Sequence, residues 1–132
     1  MELVEKSILT EMYLAGISGK SPIDNLKTKK GFTENIINSK IDELVKNKLV
    51  KEDRTTLTEL GRSSLRVVLA GGVFDIIHPG HIHTLNAAKA LGDVLIVVVA
   101  TDSTAVKMKK RQPLHSKEQR QELVNSLVMV DL

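Results

Sequence analysis

Two apolar runs, Val67 to Ala70 and Val94 to Ala100, flank a helix-length stretch, and nothing else in the chain restricts its fold as sharply. Neither run alternates with polar residues, so each is expected to be a strand of a parallel sheet covered by helices on both faces. Between them Ile82, Leu85, Ala88 and Leu91 recur at helical spacing, and Gly92 is placed to end the helix. A strand, a helix and a parallel strand in that order imply a right-handed crossover and a doubly wound α/β sheet.

The turn leaving the first run carries the chemistry. Gly71-Gly72 is a break where the backbone can bend sharply, and Pro79 suits the first position of a helix because its missing N–H costs nothing there. His78 is then predicted as the N-cap and His81 as the third helical residue, both rings lying beside free N–H groups and the positive end of the helix dipole. That place, at the carboxyl end of a strand, suits an anion. Gly72 and Gly80 are expected to let a ligand approach the backbone with no Cβ in the way. Asp75 is suited to bond the backbone of the turn or to hold the histidines. A metal site built from Asp75, His78, His81 and His83 is the competing reading. It leaves the glycines unexplained, the chain has no cysteine, and His83 points to another face of the helix, so no protein-held metal is predicted.

The run Gly72-Val73-Phe74-Asp75-Ile76-Ile77-His78-Pro79-Gly80-His81 resembles, at every fixed position, the G-x-F-D-x-x-H-x-G-H signature of the HxGH nucleotidyltransferases, which are cytidylyltransferase-like. The resemblance implies a Rossmann-like fold of the HUP type, and transfer of a nucleoside monophosphate from ATP or CTP to an acceptor phosphate with release of pyrophosphate. An acceptor phosphate is already a nucleophile, so such a protein aligns the partners and stabilises charge on the α-phosphate. By the same resemblance His78, His81 and Lys107 stabilise that charge. Gly71, Gly72, Val73, Phe74, Asp75, Gly80 and Asp102 contact the nucleotide, Lys110 and Arg120 hold substrate phosphate, with Arg120 either facing the site or anchoring the loop before it, and Mg2+ accompanies ATP or CTP. Lys107 and Lys110 are chosen from the cations of Lys107-Met108-Lys109-Lys110-Arg111, which leave the sheet on the edge that carries the histidines. Ser116 with Gln119 reads as a capping box, before a helix whose apolar face is Leu123, Val124, Leu127 and Val128.

From Arg66 to Asp131 the chain looks most like the archaeal FAD synthase branch, which adenylylates FMN. Glycerol-3-phosphate cytidylyltransferase comes second, and phosphopantetheine and sugar phosphates are further acceptor classes. No counterpart of the family's later ISSTxI signature is present, so residues 66–132 are expected to be a truncated nucleotidyltransferase domain, or one completed by a second molecule.

Residues 1–65 read as a separate small unit. Val4, Ile8 and Met12 form one helical stripe, a second helix starts near Pro22, and Ile36, Ile37, Ile41, Leu44 and Val45 mark a third. Two β-like pieces follow, around Leu49-Val50-Lys51 and Thr55-Thr56-Leu57, and Leu60 to Leu65 reads as the connection to the next unit. The stretch Ile41 to Leu65 resembles the end of a winged helix-turn-helix domain, which makes a DNA-binding or dimerising regulator the alternative function. Eleven Lys and Arg against ten Asp and Glu leave this unit at only +1, a poor match to a phosphate-lined groove. Lys27, Lys29 and Lys30 are its one basic cluster, read as a solvated helix end rather than a DNA contact, and dimerisation or packing on the other unit is an equal alternative role. The 132 residues, 42% hydrophobic and 27% charged, have an ordinary globular composition. No stretch has the apolar length of a membrane span and no signal peptide is evident, so a cytoplasmic protein is expected.

Overall fold

A computed structural model describes residues 2–28 and 30–132; Lys29, a member of the basic cluster, lies outside the described residues. The chain divides into two compact units, Met1–Leu65 and Arg66–Leu132.

Three helices open the first unit: α1 (Leu3–Ser18), α2 (Pro22–Thr28) and α3 (Glu34–Lys46). Gly19 ends α1 in the left-handed conformation, its N–H bonded to the Ala15 carbonyl, and Thr33 caps α3 by accepting from the Ile36 N–H. Ile8, Leu9, Met12, Leu26, Ile37, Ile41 and Leu44 bury the apolar faces of the three helices together, whereas Ile36 stays exposed. The β-like pieces shrink to one antiparallel bridge, Val50 to Leu57, because Asp53 turns the chain tightly by accepting from the Thr55 and Thr56 N–H groups. The stretch expected to be a connection is instead a helix, α4 (Glu59–Ser63), capped by Thr58 through the Gly61 N–H. Gly61 signals no break there; it is buried where α4 passes the backbone of Leu49. Three cations of this unit are paired with carboxylates: Lys40 is shared by Glu2, Glu5 and Glu43, Lys27 pairs with Glu34, and Arg54 of the turn pairs with Asp42 of α3. That pairing leaves α3 without the open row of cations a DNA groove would need.

In the second unit β1 (Val67–Gly72) and β2 (Val94–Val99) pair in parallel, from Val67 opposite Val94 to Gly72 opposite Val99. Between them runs α5 (Pro79–Ala90), and beyond β2 come α6 (Asp102–Lys109) and α7 (Lys117–Asn125). Residues 131–132 run along the other edge of β2, with Asp131 N–H donating to the Leu95 carbonyl at 2.9 Å and Val97 N–H to that of Leu132 at 2.7 Å. Phe74, Leu85, Leu95, Val124 and Val130 form the core, packed with Val68, Ala70, Val97 and Val99 from one face of the sheet. Each large side chain buried there contributes roughly 1.5–3 kcal/mol.

Covering of both sheet faces does not hold among the described residues. Leu69 is 69% exposed and Val98 58%, because α5 and α7 both meet the sheet on the Val68/Val97 face. Leu91 is 66% exposed rather than inward, since the helix ends before it. Gly92 is needed not for a left-handed cap but for closeness: a Cβ there would meet the Arg66 carbonyl oxygen at 2.5 Å. Val128, expected on the apolar face of the last helix, is 99% exposed because α7 stops at Asn125. No helix of the described residues is long and apolar enough to cross a membrane.

Candidate active site

The start of α5 is held by its own histidines. His78 takes the N-cap position, with φ −135° and ψ 172°, and its Nδ1 accepts the Gly80 N–H at 3.1 Å. In return His81 Nδ1 accepts the His78 N–H at 3.2 Å, so two imidazoles do the work usually shared by a hydroxyl and a carboxamide. Both Nδ1 atoms are thereby acceptors, which puts the proton of each neutral ring on Nε2, the atom left free to donate. The rings lie 4.0 Å apart, and Phe74 stands 5.4 Å from His81.

Two glycines serve this arrangement differently from the expectation of ligand access. A Cβ on Gly80 would come within 2.8 Å of His78 Cε1 and 3.0 Å of its Nδ1, so Gly80 makes room for the capping ring. A Cβ on Gly72 would meet the Phe74 ring at 2.9 Å. Phe74 itself has φ +54°, a conformation that costs a bulky residue of order 1–3 kcal/mol and turns its ring back over Gly72 into the core.

Asp75 is buried, and its two oxygens accept the N–H groups of Leu114 at 3.0 Å and His115 at 3.1 Å. The Leu114 N–H, helped by that of His115 and by the Arg111 guanidinium 3.5 Å away, holds its carboxyl below the usual carboxylate range against the opposing effect of burial. Asp75 thus has a structural role, but not the expected one: it binds neither the backbone of its own turn nor a histidine ring, and instead ties that turn to the segment before α7.

Of the two placements expected of Arg120, facing the site to hold phosphate or anchoring the loop, its burial excludes the first and its bond to the His115 carbonyl fits the second. The side chain is fully buried and its guanidinium donates four hydrogen bonds, to the carbonyls of His115, Val73 and Ala100 and to Asp102 Oδ1. Asp102, expected at the nucleotide, is the partner of this buried cation at 2.6 Å.

A cavity of about 460 Å³ opens between the histidine turn and the end of α6. Gly71, Gly72, Val73, Phe74, Asp75, His78 and His81 line it as expected, whereas Gly80, Asp102, Lys107, Lys110 and Arg120 do not. Its cations are Lys109 and Arg111. Lys107 sits two residues before Lys109 and so on another face of α6, while Lys110 takes a left-handed conformation, φ +58°, that ends the helix and turns the chain. Thr84 and Met108 complete the wall and carried no sequence signal of their own.

His81 is the titrating group of this site. Burial, followed by the charges of His78 and Lys109, lowers its pKa below the ordinary 6.5. An imidazole lowered in the folded state is protonated more readily in the unfolded chain, so stability is intact above pH 6.5 and falls as pH drops from there through the folded value. We expect the second unit to melt earlier at pH 5.5 than at pH 7.5, and the difference to shrink in His81→Asn. A melting temperature that rises on acidification would contradict this cap.

Residues 69–132 match the family model described as cytidylyltransferase-like. The FAD synthase of Thermococcus onnurineus is 54% identical over 70 residues, 53% of this chain and 46% of that protein. The FAD synthase of Pyrococcus abyssi is 52% identical over 71 residues, 54% of this chain and 47% of its own length. The chain thus spans about half the length of the curated relatives it matches. Among solved structures, a lipopolysaccharide core biosynthesis protein from Thermoplasma volcanium is similar, with 48% identity, a TM-score of 0.48, and coverage of 51% of this chain and 54% of that one.

Proposed function

We propose that this chain, whose residues 69–132 match the cytidylyltransferase-like family model, supplies the phosphate pocket of a nucleotidyltransferase, one that moves AMP from ATP to the phosphate of FMN. The observation that carries the reading is the cavity itself, in which His78 and His81 present donors opposite Lys109 and Arg111. A phosphate oxygen of the acceptor attacks the α-phosphorus of the nucleotide, the bond from that phosphorus to the bridging oxygen breaks, and pyrophosphate leaves. Charge gathers on the α-phosphate and the departing pyrophosphate. Fixed Nε2–H donors on one side and cations on the other stabilise it with little reorganisation. Gly71, where a Cβ would have only the Val98 carbonyl oxygen within 4 Å, at 3.7 Å, leaves the strand end low, so that the nucleotide can lie against backbone.

Magnesium in this reading arrives on the triphosphate. Asp75, the carboxylate at the cavity, already has both oxygens taken by backbone N–H groups. Support for ATP and FMN over CTP and other phosphorylated acceptors comes from the FAD synthases among the similar proteins.

Calorimetric titration of the chain with ATP and Mg2+ tests the pocket. Lys109→Ala and Arg111→Ala should each raise the Kd about tenfold, the worth of one charge-assisted contact to phosphate, while Lys107→Ala and Lys110→Ala stay within about twofold. The reverse ranking would move the site to the other face of α6. Pyrophosphate release should be fastest with ATP and FMN; a faster reaction with glycerol phosphate, phosphopantetheine or a sugar phosphate would reassign the acceptor.

A further inference from the structure

The peptide of His115 is gripped from both sides. Its N–H is held by Asp75 at 3.1 Å and its carbonyl by Arg120 Nε at 3.1 Å. The same guanidinium reaches the Val73 carbonyl at the end of β1 and the Ala100 carbonyl at the end of β2, each at 2.8 Å, and Asp102 at the start of α6. One buried side chain therefore joins the histidine turn, the neighbouring strand end, the first residue of α6 and the segment that follows Arg111. Asp75, which lies in the histidine turn, closes the circuit by taking the Leu114 N–H on Oδ2 as well, and Arg111 stands 3.5 Å from that same oxygen.

From this geometry we infer that Arg120 is a positioning residue: it holds the 109–115 segment against the histidine turn, and so sets where Lys109 and Arg111 stand in the cavity. It touches no ligand. Burying a guanidinium is costly unless nearly all its N–H groups are used, and here three carbonyls and one carboxylate meet that demand at the junction of the two strand ends. A core built merely for stability would fill the place with an aliphatic side chain. The planar fork is suited to fixing several carbonyls from different segments in one plane, which lysine cannot reproduce.

Two measurements on Arg120→Lys, with Arg120→Gln as the second variant, test the inference. The first is amide hydrogen exchange, which needs no ligand. Leu114 and His115 should lose at least tenfold of their protection while the amides of Leu85 and Leu95 keep theirs. Unchanged protection at 114 and 115, or an equal loss throughout residues 66–132, would overturn the inference.

The second measurement rests on the phosphate-pocket reading. Arg120→Lys should raise the Kd for ATP about tenfold, and adding it to Arg111→Ala and Lys109→Ala should cost less than twofold more, because the residue acts through those cations. Fully additive losses would show that Arg120 matters by another route and would also overturn the inference. If the unaltered chain binds no ATP while exchange still rises only at 114 and 115, the positioning stands and the nucleotide reading fails.

Discussion

Gly80→Ala is expected to weaken ATP binding by about tenfold. The added Cβ would stand 2.8 Å from His78 Cε1 and 3.0 Å from Nδ1, and neither atom belongs to a flexible chain end. A ring fixed by its own N-cap has one way to yield, which is to leave the cap. Two losses then coincide. The Gly80 N–H loses its acceptor, worth about 1 kcal/mol for a cap, and the Nε2–H donor leaves the cavity, worth roughly tenfold in binding for one hydrogen bond to a charged phosphate. Calorimetry with ATP would report the second loss and thermal unfolding the first, as a fall of about 4–8 °C for a unit of this size. Binding within threefold of the unaltered chain would mean that His78 does not face the nucleotide.

The other large effect lies in the first unit. Gly61→Ala drives a Cβ into the carbonyl oxygen of Leu49, with the carbonyl carbon only 3.0 Å away. Leu49 cannot retreat cheaply, because that oxygen accepts the Thr58 N–H at 3.1 Å and thereby closes the ladder beside the Val50–Leu57 bridge. Overpacking against backbone of this kind costs about 3 kcal/mol, or roughly 12–24 °C in the melting temperature of a small unit. Gly16→Ala provides the contrast of sign. Nothing lies within 4 Å of a Cβ there, and the residue is inside α1, so alanine should stabilise by about 0.5–1 kcal/mol. Equal melting temperatures for the two variants would remove the close approach of α4 to Leu49.

Which parts of this molecule could be read in advance follows from the range over which each is determined. Pro79 and His78 fix the start of α5 through neighbours one to three residues away, so the cap was legible in the spacing alone. The Ser116–Gln119 pair at the start of α7 was legible for the same reason. Arg120 was not, because its four partners come from the ends of β1 and β2, the start of α6 and the turn before α7, and no local pattern announces that convergence. Lys109 and Arg111, which line the cavity, lie two residues past Lys107 and one past Lys110, the cations chosen from the sequence. Their direction depends on where α6 ends, and the left-handed residue that ends it, Lys110, is not one of the glycines that usually mark such a point. Gly61 misled in the opposite sense: it resembled punctuation, yet its value is the missing Cβ inside a helix.

The paired imidazoles at the head of α5 have a consequence for what could replace them. A lysine at either position would bring more positive charge to the cavity but nothing able to accept, and the helix would lose its first bond. An aspartate would keep the bond but repel a phosphate. Each neutral ring looks two ways, an acceptor toward the chain and a donor toward the cavity, so one side chain serves both the architecture and its guest. A ligand that takes up the outward N–H therefore also tightens the opening turn of the helix. Occupancy of the pocket should be visible as slower exchange at the amides of His78 and Gly80, neither of which such a guest would need to touch.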